Sequence, residues 1–254
     1  MKNHFYISYM GNKRQEVEQI YNSIDFKDIT TIIEPFCGTS AMSYFISTKK
    51  EGLKYILNDN NQYLKEMFEI FKDDEKIKQF ENKINDEILP NIQTKDNYDN
   101  FLKSNKNLYG WFISSKYYKI RPGIFPQKRK FNKIDLKRYP IYDFYKNSNI
   151  EFYNLDGIEI YEKYKNNKNN LILLDPPYLQ ACNDYYADSK VNIYEYLYND
   201  NPIEKEKAQI LLILENIWII KLLFKNNKIL VEYDKNYFGY KKRKTTHIII
   251  TNLK

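Results

Sequence analysis

The chain has 254 residues, enough to bury the core of one α/β domain that carries an insertion. Its 40 lysines and arginines exceed its 33 aspartates and glutamates, and the net charge of +7 is compatible with a polyanionic partner. Two cysteines exclude a disulfide framework, and two histidines without clustered cysteines argue against a zinc site, so no metal is expected.

The ends and the most apolar segment of the chain bear on its location. Residues 1–6 lack the apolar core of a signal peptide. The most hydrophobic stretch, residues 210–224, is interrupted by Glu215, Asn216 and Lys221, and it is too short to span a bilayer. We therefore expect an intracellular protein, cytoplasmic or in a nucleoid or viral factory, that is neither secreted nor bound to a membrane.

The apolar pattern predicts six strands, at residues 30–33, 54–57, 150–154, 171–174, 228–233 and 245–251. It predicts helices at residues 41–46, 62–71, 77–88 and 203–224. Between residues 61 and 149 the alternation of strand and helix stops, and helices with a basic loop replace it. These elements predict an α/β fold with a mixed, mostly parallel, Rossmann-like sheet and helices on both faces, formed by residues 1–60 and 150–254. Residues 61–149 are predicted to be an inserted recognition region.

The most informative segment is the apolar strand at 171–174, because Asp175, Pro176, Pro177 and Tyr178 follow it directly. Ligands of open α/β sheets bind at the carboxyl ends of such strands. The carboxylate of Asp175 accepts hydrogen bonds, and the two prolines stiffen a turn whose carbonyl can also accept one. Tyr178 offers a flat face for a nucleobase, with core packing as the alternative role. Together these groups suit an exocyclic base amine.

Three further features lie at predicted strand ends and suit an adenosine ligand. Gly38 lets the backbone approach a ligand closely, and Asp59 is placed to accept the hydroxyls of a ribose. Asp156 can accept from an adenine amino group. The three spaced glycines of a dinucleotide site are absent, which favours an adenosine without pyrophosphate. Alternatively, Gly38 is only a turn and both acids are solvated strand ends.

A basic segment at residues 115–139 is the predicted nucleic-acid contact. Aromatic residues interleave its cations, and they can either anchor the loop or touch bases. The alternative is a solvated loop in a lysine-rich protein. The cations chosen as candidate contacts are Lys116, Lys119, Arg121, Lys128, Arg129 and Lys130.

Five elements of the chain, in order, resemble those of the Dam-type S-adenosylmethionine-dependent DNA adenine-N6 methyltransferases, and the similarity covers most of the chain. They are Tyr-Met-Gly-Asn-Lys at 9–13, Glu-Pro-Phe-Cys-Gly-Thr-Ser at 34–40, Asn-Asp-Asn at 58–60, Leu-Asp at 155–156 and Asp-Pro-Pro-Tyr at 175–178. The chain departs from the family pattern at Ser40, where a glycine is expected, and at His247, where a glutamate is expected. At 121–126 the asparagine of a recognition element is missing.

The resemblance implies a methyltransferase fold and assigns roles to individual residues. Asp175, Pro176, Pro177 and Tyr178 would be catalytic. The residues implied to bind S-adenosylmethionine are Tyr9, Met10, Gly11, Lys13, Glu34, Pro35, Phe36, Gly38, Thr39, Ser40, Asp59, Asn60, Asp156 and Asp175.

The expected function is methyl transfer to the N6 amine of adenine in duplex DNA, at a short specific site and with the target base flipped, as in restriction–modification systems. Residues 61–149 would then recognise the target. The sequence does not fix an oligomeric state. One alternative is a catalytically decayed relative that still binds nucleic acid or cofactor, and another is an RNA or cytosine-N4 methyltransferase.

Overall fold

The computed structural model describes residues 7, 13, 15–117, 125–126, 131–178, 197, 203–237 and 243–252. These residues form two compact units. The helical unit consists of Gln62–Ser148 together with Ile7, within the described ranges. The sheet unit consists of the described parts of Gly11–Asn61 and Asn149–Lys254.

The sheet unit is built on seven strands. They are β1 (Thr31–Glu34), β2 (Lys54–Asn58), β3 (Asn149–Tyr153), β4 (Asn170–Leu174), β5 (Gln209–Glu215), β6 (Lys228–Tyr237) and β7 (Arg243–Thr251). Their order across the sheet is β3-β2-β1-β4-β5-β7-β6. β7 pairs antiparallel with both β5 and β6, and the other four pairs of strands are parallel. The predicted fold class, a mixed and mostly parallel sheet with helices, is confirmed.

The helices in the described parts of the chain have these bounds, in chain order: α1 (Val17–Asn22), α2 (Ala41–Ser47), α3 (Gln62–Phe71), α4 (Asp74–Asn82), α5 (Lys95–Ser104), α6 (Leu108–Tyr117), α7 (Ile141–Asn147), α8 (Gly157–Tyr164) and α9 (Trp218–Leu223). A π-helix spans Lys83–Ile88, and 3₁₀ turns span Leu89–Asn91, Leu136–Arg138 and Ile203–Lys205. Of these helices, none combines the length and the hydrophobicity needed to cross a bilayer.

One sequence prediction is wrong: residues 203–224 do not form a single long helix. They form a 3₁₀ turn, the strand β5 and the short helix α9. All seven residues of β5 are buried, because β5 lies between β4 and β7 inside the sheet. A strand that is buried on both faces is apolar throughout, so its pattern resembles that of a buried helix.

The helical unit packs the apolar faces of short amphipathic helices. In α3 the buried residues are Leu64, Met67, Phe68 and Phe71, which recur at helical spacing. The side chain of Asp73 caps α4 by accepting from the backbone N–H of Glu75 at 2.9 Å. The structure thus starts α4 before the helix predicted at residues 77–88. That predicted helix corresponds to the end of α4 and the π-helix that follows it.

The strand order places several polar residues at one edge of the sheet. The order reverses between β1 and β4, which are adjacent and parallel. Glu34 ends β1, Asp59 follows β2, and Asp175 follows β4. The carboxyl ends of parallel strands meet at such a switch point, where open α/β sheets bind their ligands.

Candidate active site at the carboxyl edge of the sheet

The catalytic candidates lie directly after β4, whose five residues are all buried. The Oδ2 atom of Asp175 is 2.5 Å from the Lys13 ammonium, and its Oδ1 atom accepts from the Tyr178 hydroxyl at 3.1 Å. Pro176 is buried, whereas Pro177 and Tyr178 are partly exposed. The rigid turn therefore holds one carboxylate, one carbonyl and one ring beside each other.

Burial raises the pKa of Asp175, and the nearby charge of Glu16 raises it further. The charge and hydrogen bond of Lys13 oppose this shift, as does the hydroxyl of Tyr178, but the net direction is upward. A carboxylate with a raised pKa is a better proton acceptor than an exposed aspartate. Asp175 is thus suited to take a proton as well as to accept a hydrogen bond.

A group of buried polar residues next to Asp175, which we call the ionic cluster, was not predicted from the sequence as a whole. It consists of Glu16, Tyr233, Lys235 and His247. The Lys235 ammonium is ion-paired with Glu16 Oε1, and the Tyr233 hydroxyl donates to Glu16 Oε2 at 3.2 Å. His247 Nδ1 lies 3.5 Å from the same Oε2 atom. Of these four residues, His247 alone stands out in the sequence, as a departure from the family pattern.

The ionic cluster has a strong effect on Glu16. Burial alone would raise the pKa of Glu16, but its hydrogen bond to His247 and the charges of Lys13 and Lys235 outweigh burial. The pKa of Glu16 is held at about 2. Glu16 is therefore ionised at neutral pH although only 2% of it is exposed.

The turn after β1 has a backbone shape that explains its unusual serine. Gly38 has φ 51°, and Ser40 has φ 58° and ψ 38°, in the left-handed region. Glycine adopts this region freely, whereas another residue pays roughly 1 kcal/mol or more. Ser40 keeps the conformation that the expected glycine would have, and its N–H donates to the carbonyl of Cys37 at 2.7 Å. Thr39 and Pro35 are buried in the same turn.

Two acids at this edge are buried and hydrogen-bonded to neutral N–H groups. Glu34 Oε1 accepts from the backbone of Ser43 at 2.8 Å, and Asp59 Oδ2 accepts from the backbone of Gly38 at 2.9 Å. Burial raises the pKa of Glu34 to about 7 and that of Asp59 to about 6. Asn60, the next residue, is exposed.

Asn58, the first residue of the Asn-Asp-Asn element, has a clear structural role that its sequence does not predict. Its side chain donates to the carbonyl of Pro35 at 2.9 Å and to that of Leu155 at 3.0 Å. It also accepts from the N–H of Leu155 at 2.9 Å. Asn58 therefore ties together the turns after β1 and β3, and its full burial makes these bonds costly to lose.

The Phe36 ring packs against Gly157, the first residue of α8, and Asp156 directly precedes that glycine. Asp156 caps α8 by accepting from Ile158 N–H at 2.8 Å. A Cβ atom on Gly157 would be only 2.4 Å from the ring of Phe36, so glycine is required for this ring position. The Phe36 ring and the Asp156 carboxylate thus flank the start of α8.

The basic segment is described only in part. Lys116 contacts the hydroxyl of Tyr139, and its ammonium is 4.3 Å from the centre of that ring. The aromatic residues Tyr98, Tyr117, Phe125 and Phe131 pack on one another, with Tyr117 and Phe131 at 4.9 Å between centroids. In the described part of the segment, aromatic rings therefore anchor the chain within the helical unit. Lys119, Arg121, Lys128, Arg129 and Lys130 lie outside the described residues, as do Tyr9, Met10 and Gly11.

Acidic and sulfur ligands do not gather into a metal site in the described ranges, where no group of three His, Cys, Asp or Glu residues could hold an ion. Asp175 and Glu16 are bonded to lysines, and Glu34 and Asp59 accept from backbone N–H groups.

Comparison with known proteins gives one family match. Residues 9–249 match the model of the family described as D12 class N6 adenine-specific DNA methyltransferase. A curated relative, the type II methyltransferase M.CviBI of Paramecium bursaria Chlorella virus NC1A, is 26% identical over 280 residues, which cover 97% of this chain and 98% of that protein.

Solved structures with some similarity are also methyltransferases. A precorrin-6y C5,15-methyltransferase from Geobacter metallireducens GS-15 has a TM-score of 0.43 at 8% identity, covering 97% of this chain and 92% of that one. An antibiotic-related methyltransferase has a TM-score of 0.34 at 11% identity, covering 96% of both chains. Both TM-scores are low, so the fold assignment depends on the strand order described above.

Proposed function

The chain belongs to the D12 class of N6 adenine-specific DNA methyltransferases, and from that premise we propose how its residues divide the work. The protein uses S-adenosylmethionine to methylate the N6 amine of adenine in DNA, and the RNA and cytosine-N4 alternatives are set aside. The division proposed here is that the turns after β1, β2 and β3 hold the cofactor, while the turn after β4 holds the target amine.

The observation that carries the cofactor site is the pair of buried acids at the ends of β1 and β2. Each accepts from neutral N–H groups, and each carboxylate oxygen has lone pairs left for a ligand. The raised pKa of each acid means that its ionised form is less favourable than in water, and that an approaching cation or hydroxyl donor would stabilise it. The ammonium and ribose groups of S-adenosylmethionine match these needs, at Glu34 and Asp59 respectively.

The remaining cofactor contacts follow from the same edge. We assign the adenine to the space between the Phe36 ring and Asp156, because an aromatic face and an acceptor lie together there. Gly38, Thr39 and Ser40 supply the close backbone approach, with Pro35 and Asn60 beside them. Lys13 and the preceding Tyr9, Met10 and Gly11 complete the proposed set.

The proposed chemistry at Asp175 begins with a weak nucleophile, because the lone pair of the adenine amine is delocalised into the ring. The Asp175 carboxylate and the Pro176 carbonyl accept its two hydrogens and draw the nitrogen towards tetrahedral geometry. S-adenosylmethionine supplies an electrophilic methyl group on a sulfonium. After transfer the nitrogen is cationic and loses a proton, and Asp175, with its raised pKa, is placed to accept it.

Duplex DNA presents this amine only after the base has left the stack, so we propose base flipping, with Tyr178 stacking on the flipped adenine. The Tyr178 ring is partly exposed. Two contacts fix its position: the Lys13 ammonium lies 5.1 Å from the ring centre, and the Tyr178 hydroxyl donates to Asp175. A ring fixed in this way loses little freedom on stacking.

We further propose that residues 61–149 recognise a short specific site, with the candidate cations of residues 116–130 on phosphates. The type II relative suggests the modification half of a restriction–modification pair.

The decisive experiment incubates the protein with labelled S-adenosylmethionine and unmethylated genomic DNA, and then maps modified adenines. Asp175→Asn is the matched variant, because it keeps the shape and removes the charge. We expect methylation at one short sequence by the wild-type protein, a loss of roughly 10²- to 10³-fold or more in Asp175→Asn, and cofactor affinity within a few-fold. Cofactor binding without transfer by the wild-type protein would instead select the decayed relative.

A further inference from the structure

The ionic cluster lies against the catalytic turn and is charged, although all of it is buried. Exposed fractions are 2% for Glu16, 6% for Tyr233, 7% for Lys235 and 0% for His247, and the neighbouring Lys13 is 4% exposed. A buried charge is costly unless it is paired and hydrogen-bonded. Each charged group of the cluster therefore needs its partner in place. The place of the cluster beside Asp175 gives it a means to affect the reaction.

The geometry connects Glu16 to both lysines. The N–H of Glu16 donates to the carbonyl of Lys13 at 2.8 Å, so the two residues share one turn of chain. The charge of Lys13 acts on Glu16, and the same ammonium contacts Asp175 at 2.5 Å. Lys235 is ion-paired with Glu16. Lys13 therefore interacts with two carboxylates, and Lys235 is kept on the side of Glu16.

His247 joins this arrangement from the closing strand. Its ring meets the ring of Tyr178 edge to face at 5.1 Å and that of Tyr233 at 5.7 Å, and its Nδ1 faces Glu16 at 3.5 Å. The side chain at position 247 thus reaches the catalytic tyrosine and the Glu16 carboxylate at once. Position 247 is also where a glutamate was expected from the family pattern.

We propose that Glu16 is the positioning carboxylate of the catalytic turn, and that it supplies from the N-terminal side the negative charge expected at position 247. The inference depends on the role proposed above for Asp175. Glu16 holds Lys13 and Lys235 so that Asp175 keeps lone pairs for the target amine. His247 occupies the position of the expected glutamate. Its side chain orients Glu16 and packs against the Tyr178 ring.

The consequence of losing Glu16 follows from the charges. Lys13 would then keep Asp175 as its ion-pair partner, and Lys235 would still interact with the charge of Asp175 but no longer with that of Glu16. Both lysines would draw on the Asp175 carboxylate, and their hydrogens would compete with those of the amine. The main effect is on the chemical step, because Glu34 and Asp59, the two acids proposed to hold the cofactor, accept from the backbone N–H groups of Ser43 and Gly38. Lys13, which belongs to the proposed cofactor set, keeps its ion pair with Asp175 when Glu16 is lost. A merely structural role would instead lower stability and leave the transfer rate of the folded fraction unchanged.

The test measures the single-turnover rate of methyl transfer and the dissociation constant of S-adenosylmethionine for Glu16→Gln, His247→Glu and the double variant. Glu18→Gln is the control, since Glu18 is exposed in the first turn of α1, the helix that Glu16 precedes. We expect Glu16→Gln to slow transfer roughly 10- to 100-fold with cofactor affinity within about threefold. His247→Glu in that background returns a carboxylate to the cluster and should restore most of the rate, a coupling that independent sites would not show.

Several outcomes would overturn the inference. It fails if folded Glu16→Gln transfers as fast as Glu18→Gln, or if the double variant folds and is no faster than Glu16→Gln. If neither protein that carries Glu16→Gln folds, Glu16→Asp decides: it keeps the charge but withdraws it by one methylene, and a wild-type rate would contradict a positioning role. Asp175→Asn tests the premise separately: wild-type activity in that variant would refute the role proposed for Asp175, whatever the result for Glu16.

Discussion

Glu34 and Glu16 are both buried glutamates of the sheet unit, yet their pKa values move in opposite directions. Burial raises that of Glu34 to about 7, whereas hydrogen bonding to His247 and two lysine charges hold that of Glu16 at about 2 despite burial. Glu34 accepts from a neutral N–H group of Ser43. Glu16 is ion-paired within the chain.

The difference separates two regions of one sheet edge. In the region after β1 and β2, the acids carry a desolvation cost that internal partners do not remove, and a ligand with positive or donor groups can remove it. In the region around β4 and β7, both acids are ion-paired with lysines: Glu16 is fully compensated, whereas burial still raises the pKa of Asp175. These properties agree with the roles proposed above, in which the first region binds the polar cofactor and the second holds a fixed geometry during the reaction.

The largest expected effect concerns stability as a function of pH, and it has opposite signs at the two glutamates. The folded pKa of Glu34 lies above its ordinary value of 4.5, so the native state binds the extra proton, and the contribution of Glu34 to stability falls as pH rises from about 4.5 to 7. Glu34→Gln removes this decline and should raise the free energy of unfolding at about pH 8 by on the order of 2 to 3 kcal/mol.

Glu16→Gln is the opposite arm of the same experiment. The folded pKa of Glu16 is depressed, so its contribution is present above 4.5 and is lost as pH falls towards 2. The variant should therefore be less stable than wild type at neutral pH and equal to it in strong acid. Denaturant unfolding over pH measures both, with exposed Glu18→Gln as control. Parallel pH profiles for Glu34→Gln and wild type would contradict the contrast.

A smaller effect is expected at Gly157 and is confined to the cofactor region. The Cβ atom of Gly157→Ala would be 2.4 Å from the Phe36 ring, so the ring must move from its place beside Asp156. We expect S-adenosylmethionine to bind roughly tenfold more weakly, at a cost of about 1.4 kcal/mol, with the single-turnover rate at saturating cofactor within about twofold. An unchanged dissociation constant would remove Phe36 from the cofactor site.

Much of the candidate site follows from sequence because of the strand pattern. Glu34 ends a short strand, and Asp59, Asp156 and Asp175 follow the ends of three others. Parallel strands bring such positions to a common edge. The left-handed conformation of Ser40 was not foreseen, since it departs from the preference of the residue itself.

Two other features, the strand β5 and the ionic cluster, cannot be predicted from the sequence around them. The strand β5 is apolar on both faces, so periodicity gives no information about its type. The ionic cluster joins Glu16 to Lys235, which are 219 residues apart, and nothing in either neighbourhood indicates the partner. His247 marked the place only as an unexpected residue type.

The most direct test of the cofactor assignment is proton release on binding of S-adenosylmethionine, measured by calorimetry at about pH 6.5 in buffers of different ionisation enthalpy. The pKa values of about 7 for Glu34 and about 6 for Asp59 leave both acids partly protonated before binding. If the cofactor ionises both, roughly one proton leaves per bound molecule, and most of that release disappears in Glu34→Gln. Binding heats that do not depend on the buffer, or an equal release from Glu34→Gln, would contradict the account.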